Sequence, residues 1–190
     1  MKNFKKKMAK NIHRYTLVIF ALFLAGKKSN AQELTVVDSV DLQRYAGKWY
    51  EIARLPNRFQ EECMENVSAT YEILESGEIK VVNRCRKEGD EFSEAEGIAR
   101  RASLEGPNTK LKVRFAPSFL SFLPFVWGNY WIIDLAPDYS YAVIGEPNRE
   151  YLWVLARTQK LKENTFQEIL ERAKKQGYKL SDLILTKQSQ

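Results

Sequence analysis

Few side chains in this 190-residue sequence are suited to covalent or metal chemistry: one histidine, His13, and two cysteines, Cys63 and Cys85. His13 lies in a leader. Lys2, Lys5, Lys6, Lys7, Lys10 and Arg14 are followed by a 12-residue apolar run at 15–26, then by the small residues Ser29 and Ala31. That is the pattern of a secretory signal peptide, residues 1–31, cut after Ala31. Twelve apolar residues are too few to cross ~30 Å of hydrocarbon. Residues 32–190 then carry no imidazole, which excludes Ser-His-Asp and Cys-His catalysis, His-ligated zinc and His-bound haem. Four carboxylates, Glu51, Glu94, Glu96 and Asp134, remain for acid–base work, but they are spread over three strands with no partner base. The expectation is a protein without enzymatic activity, cofactor or metal. In an exported chain an even pair of cysteines reads as a disulfide, Cys63–Cys85. At a separation of 22 residues its chain-entropy contribution is ~3 kcal/mol.

The leader also distorts the charge. It holds eight of the 30 Lys and Arg residues and none of the 24 Asp and Glu, so 22 basic and 24 acidic residues remain, a net of −2. Nucleic acid is therefore not an expected partner. The remaining 159 residues suit a single domain with a sizeable core. Export points to the periplasm, to the outer membrane or to secretion. No cysteine stands beside the cut to carry a lipid anchor.

The elements that would position a site are short. Apolar or alternating runs fall at 47–55, 66–73, 78–85, 91–101, 111–115, 128–135, 140–145 and 151–157, separated by turn residues. Eight strands joined by hairpin-type turns predict an all-β fold, an eight-stranded antiparallel up-and-down barrel. In the fifth run Leu111, Val113 and Phe115 share one face, while Lys110, Lys112 and Arg114 share the other. The eighth run is apolar on both faces and needs an outer cover. Residues 163–178 supply one C-terminal α-helix, with Phe166, Ile169, Leu170 and Ala173 on one side. Thr165 with Glu168 predicts a capping box, and Gly177 a stop. An eight-stranded barrel can hold one small ligand.

This order of motifs resembles the lipocalin family. "GKWYE" matches its Gly-x-Trp block through Gly47 and Trp49. "APDYSYAVI" resembles its second block through Asp138 and Tyr139, with Pro137 where threonine is usual. "LWVLART" resembles the third through Arg157. "RYAGKWYEIARLPNRFQ" and "REYLWVLART" are closer still to the branch of bacterial lipocalins, apolipoprotein D and plant temperature-induced lipocalins. The resemblance implies that Trp49 plugs the closed end of the barrel. Arg157 would stack over it in a cation–π contact worth ~0.5–2 kcal/mol, and Gly47 would let the chain pass close by. With the phase of the strands set by Trp49 and the resemblance, the lining is expected to include Val67, Ala69 and Tyr71, then Ile79, Val81 and Asn83. Leu111, Val113, Phe115, Tyr130, Ile132, Tyr151 and Trp153 complete it. Apolar and aromatic with few polar points, it suits an acyl chain with its head near a tyrosine or Asn83, or it simply fills the barrel as core. Arg58, Arg100 and Arg101 could hold an anionic head group, although such arginines are more often merely solvated.

Between the fifth and sixth strands lies "FLSFLPFVW", residues 119–127. It is too short to span a bilayer, and Pro124 argues against a central strand. At the barrel mouth it either folds over the opening or docks on a membrane, with Phe119, Phe122, Phe125 and Trp127 as wedges and Leu123 beside them. The leading expectation is binding, storage or transport of fatty acids, lysophospholipids or related lipids in the cell envelope, with a stress role in membrane maintenance. The alternatives are a lipid- or isoprenoid-modifying enzyme on the same barrel and an interaction protein with a filled core. Monomer and homodimer stay open.

Overall fold

The computed structural model describes residues 33–189; the leader and its cleavage lie outside the described residues. A helical turn, α1 (Leu42–Tyr45), leads into β1 (Gly47–Arg54), β2 (Glu65–Ile73), β3 (Ile79–Arg86), β4 (Phe92–Arg101) and β5 (Lys110–Arg114). Then follow β6 (Gly128–Leu135), β7 (Tyr141–Gly145), β8 (Leu152–Ala156), α2 (Glu163–Lys175) and the two-residue β9 (Ile184–Leu185). Each strand from β1 to β8 pairs antiparallel with the next, and β1 pairs with β8 as well as β2, so the sheet closes on itself. This is the expected eight-stranded up-and-down barrel, with β9 in addition.

Local chemistry explains the joints. The Asp41 carboxylate caps α1 by accepting from the Gln43 and Arg44 amides at 2.9 and 3.2 Å, the usual use of Asp at a helix start. The β2–β3 hairpin turns at Gly77, whose φ of 81° needs no Cβ. β1 runs from the closed end, where Trp49 lies, toward the mouth. The connections 55–64, 87–91, 115–127 and 146–151 therefore all lie at the mouth.

Two cores form on the two faces of the same strands. One fills the barrel around Trp49, Tyr71, Val81, Leu111, Ile132 and Ile144. The other lies outside, where Phe166, Ile169 and Ala173 of α2 cover Ala53, Ile133, Val143, Leu152 and Val154. Burial on both faces explains why β8 is apolar throughout. The capping box is not formed. α2 starts at Glu163, its N-cap Lys162 offers no side-chain bond, and Thr165 lies inside the first turn. Lysine has no acceptor to give, so the charge of Glu163 is what complements the helix start. Gly177 ends the helix at φ 90°.

The last residues were not expected to pair. β1 and β2 are in register only from Gly47↔Tyr71 to Tyr50↔Ser68. Beyond that they part, and the C-terminal segment enters the seam. Ala53 and Arg54 pair with Leu185 and Ile184, and Glu65 bridges to Lys187. Gln188 Nε2 donates to the carbonyls of Glu51 and Val67 at 2.8 Å each. Peptide groups that would lie unpaired on both strand edges are thereby satisfied.

The barrel interior and mouth as the candidate ligand site

The floor of the barrel is built by residues far apart in sequence. The Trp49 Nε1–H donates to the Tyr45 carbonyl at 2.8 Å. The Arg157 guanidinium lies 3.8 Å from the centre of the Trp49 ring and donates to the carbonyls of Lys48, Arg44 and Tyr45. Gly47 has φ 91°, with Arg157 Nη1 only 3.5 Å from where a Cβ would stand. Tyr139 holds α1 from below. Its hydroxyl accepts from the Asp41 amide at 2.8 Å, and Arg44 stacks on its ring at 4.0 Å. Asp138 is exposed. Bonds from the Ser140 hydroxyl and amide hold its carboxyl below the usual range.

Above the plug sits a polar cluster in apolar surroundings. The Tyr130 hydroxyl is 2.7 Å from that of Tyr45 and 2.8 Å from that of Tyr71. Burial pushes the Tyr71 phenol up to about 12, and raises Tyr45 and Tyr130 well above their ordinary value. All three are therefore neutral at physiological pH. Three hydroxyls carry three protons and share two hydrogen bonds, so one O–H is left to donate elsewhere.

Around this cluster the wall carries Ala69, Ile79, Val81, Leu111, Val113, Ile132 and Trp153 on its inner core. Asn83 stands in register with Ala69 and so shares that face. Val67 is buried at the irregular end of β2. Two expected lining residues stand beyond the strand ends, at the rim of the barrel. Phe115 follows β5 and is 42 % exposed. A Cβ on Gly97 would be 2.7 Å from its ring, so the glycine makes room for it. Tyr151 precedes β8 and stacks between Phe59 and Trp153 at 5.6 and 5.9 Å. Alternation holds only while the strand lasts, and both residues lie beyond its ends.

Sequence reasoning missed Tyr45, which sits on a turn with no strand period. It also missed Gly97 and Ala99, whose small side chains give β4 no apolar signal, although Ala99 pairs with Val113 on the inner face. Gln60 was missed too. From the first mouth loop it accepts from Trp153 Nε1 at 2.7 Å and donates to the Glu51 carboxylate at 2.7 Å. Glu51 is buried and also accepts from Arg54 at 2.8 Å and from the Thr186 hydroxyl. Asp134 is taken by Arg172 at 2.7 Å, Glu96 by Lys80 at 2.9 Å, and Glu94 lies opposite Arg84. Each carboxylate that might serve acid–base chemistry thus faces a basic group. The Cys63–Cys85 disulfide ties the first mouth loop to β3.

At the mouth Phe119, Phe122 and Phe125 are 73, 76 and 81 % exposed, and Leu123 is half-buried. The loop is not loose, because two 3₁₀ turns, Ser118–Leu120 and Pro124–Val126, shape it. Trp127 is not an exposed wedge. It is 8 % exposed, and its Nε1–H donates to the Ser121 carbonyl at 2.8 Å. Of the candidate arginines, Arg58 stacks on Phe59 at 5.2 Å, Arg101 donates to the Gly106 carbonyl at 2.7 Å, and Arg100 lies over Trp127 at 4.0 Å.

Residues 40–188 match the lipocalin-like domain family. The chain belongs to the lipocalin family. It is 41 % identical to temperature-induced lipocalin-1 of Arabidopsis thaliana, over 83 % of this chain and 84 % of that one. Outer membrane lipoprotein Blc of Escherichia coli is 37 % identical, over 89 % of this chain and 91 % of its own. Apolipoprotein D of Rattus norvegicus is 32 % identical over 68 and 67 %. Among solved structures, insecticyanin from Manduca sexta superposes with a TM-score of 0.62 at 20 % identity, covering 83 % of this chain and 86 % of that one. That likeness concerns the fold. Membership of the lipocalin family supports a barrel that takes small hydrophobic molecules.

Proposed function

We propose that this lipocalin binds, stores or carries one small hydrophobic molecule, of the fatty acid or lysophospholipid class, in the cell envelope. The observation that carries the reading is the inner wall: apolar from Val81 to Trp153, with neutral tyrosine hydroxyls at its floor and a spare O–H proton among them. An apolar wall favours an acyl chain, and the spare proton favours an oxygen acceptor at the deep end. The envelope setting is supported by the leader pattern, by the disulfide and by likeness to a protein named as an outer membrane lipoprotein. In the same reading the exposed loop phenylalanines lay the mouth against a membrane surface, where ligand would be exchanged. A stress role is supported only by the likeness to a temperature-induced lipocalin.

The test is lipid extraction of the purified protein followed by mass spectrometry, then titration with long-chain fatty acid and lysophospholipid. Co-purified lipid or micromolar binding is the expected outcome. Changing Tyr45, Tyr71 and Tyr130 together to phenylalanine, which removes every hydroxyl of the cluster, is expected to weaken capture by roughly fivefold, the worth of one hydrogen bond. A protein that holds no lipid and binds none at micromolar concentration ends the proposal.

A further inference from the structure

Below the apolar loop, the outer wall of β4 and β5 gathers positive charge. Register sets Arg100 directly opposite Lys112, a like-charge pair that opposes strand pairing. Arg114 is the next outward residue on β5 and is 8 % exposed. Its Nη1 donates to the Ala116 carbonyl. Its Nε is buried with no hydrogen-bond partner, and among the described residues no carboxylate pairs with it. A buried guanidinium without an anion is costly, and here only the Ala116 carbonyl and the Trp127 ring offset that cost. Beside it is a recess of about 160 Å³, lined also by Gly97, Ile98, Ala116 and Ser118. Glu96 borders the recess, but Lys80 holds it at 2.9 Å. Trp127 joins this charge to the loop, its ring lying 4.0 Å from the Arg100 guanidinium and 5.2 Å from that of Arg114.

We propose that this recess binds the phosphate of a membrane phospholipid headgroup through Arg114, with Arg100, which lies over Trp127 outside the recess lining, adding positive charge nearby. The site rests on the docking reading of the loop. A segment that sinks roughly 5–10 Å into the interface brings its base to headgroup level, and here the base of the loop is the recess. The fork of an arginine matches phosphate oxygens, and the covered, unpartnered Nε–H is reached once the side chain turns into the recess. Ser118 adds a hydroxyl at the rim. The phenylalanines then provide insertion, and the arginines provide recognition of the headgroup.

Two measurements test this. First, vesicle binding is compared on phosphatidylglycerol-containing bilayers and on phosphate-free digalactosyldiacylglycerol bilayers. Arg114→Gln is expected to lower binding to the phospholipid vesicles roughly tenfold, the worth of a lost charge-assisted hydrogen bond, and to leave binding to the galactolipid unchanged. Arg100→Gln changes an exposed residue and lowers the same binding several-fold at unaltered thermal unfolding. The triple change of Phe119, Phe122 and Phe125 to serine lowers binding to both surfaces. Equal phospholipid binding by wild type and both arginine variants overturns the proposal. Second, the Arg114 Nε–H resonance is followed by NMR while dihexanoylphosphatidylglycerol, below its micelle concentration, or inorganic phosphate is added. A shift with the short-chain lipid upholds the site even if no vesicle binds, in which case only the docking reading of the loop fails. No shift with the lipid, or a shift with inorganic phosphate alone, overturns it.

Discussion

At the residue scale, the floor of the barrel shows how burial sets chemistry. Tyr71 ionises in water near 10.0, yet in the fold its pKa is raised to about 12. Desolvation disfavours the phenolate. For a group whose folded pKa is raised, the stabilisation is complete below the unfolded pKa. It is lost as pH climbs through the folded one. The contribution of this phenol is therefore expected to be level below pH ~10 and to fall between ~10 and ~12, by roughly 3 kcal/mol. Tyr45 and Tyr130 add to the same limb. Tyr71→Phe should make the alkaline fall shallower, read from melting temperature against pH alongside tyrosinate absorbance. Superimposable alkaline limbs for the two proteins would contradict this.

At the scale of elements, the mouth is held by two fastenings. One is the disulfide between the first loop and β3. Replacing Cys63 and Cys85 together by serine is expected to lower stability by ~3 kcal/mol, seen as an earlier urea midpoint at unchanged slope. The other is the C-terminal segment in the β1–β2 seam. Ending the chain after Leu183 removes β9, the Thr186 bond to Glu51 and both Gln188 bonds. At ~1 kcal/mol for each bond, the three side-chain bonds alone set the loss at about 3 kcal/mol, and the backbone pairing of β9 adds to it. Amides of residues 52–54 and 65–67 should gain hydrogen exchange ahead of the rest of the barrel. Exchange spread evenly over all strands would mean that the tail does not act as a local seal.

For the whole molecule, one barrel presents two apolar surfaces with different solvents. The outer core is closed by α2 and is complete. The loop phenylalanines have no such cover within the described residues. Changing Phe122, Leu123 and Phe125 to serine is expected to leave the fold and its melting temperature intact, because none of the three is buried in either core. Liposome binding or ligand capture should fall. Unchanged behaviour in both assays would return the loop to a purely structural part. Trp127 is excluded from that set for a physical reason. It is pinned between the loop and Arg100, so its removal would disturb the loop itself.

The barrel, its strand order and the covering helix were determined by the sequence alone. Alternation, turn residues and helical spacing are local properties, legible along a single segment. Alternation also divided each strand into two faces, but which face turns inward, from Ala69 and Tyr71 to Leu111 and Val113, rested on the phase set by Trp49 and the family resemblance. The tertiary structure decided what depends on closure. Tyr45 reaches Tyr71 and Tyr130 only because the barrel brings a helical turn under two distant strands. Residues 184–189 find partners only where β1 and β2 part. Trp127, which reads in sequence as one more greasy residue, is buried because the closed sheet sets it against the outer wall of β4 and β5, beside Arg100 and Arg114. Arg114, which reads as one more solvated charge, is buried without an anion for the same reason. No local pattern encodes such contacts, since each is set by the register and curvature of the closed sheet.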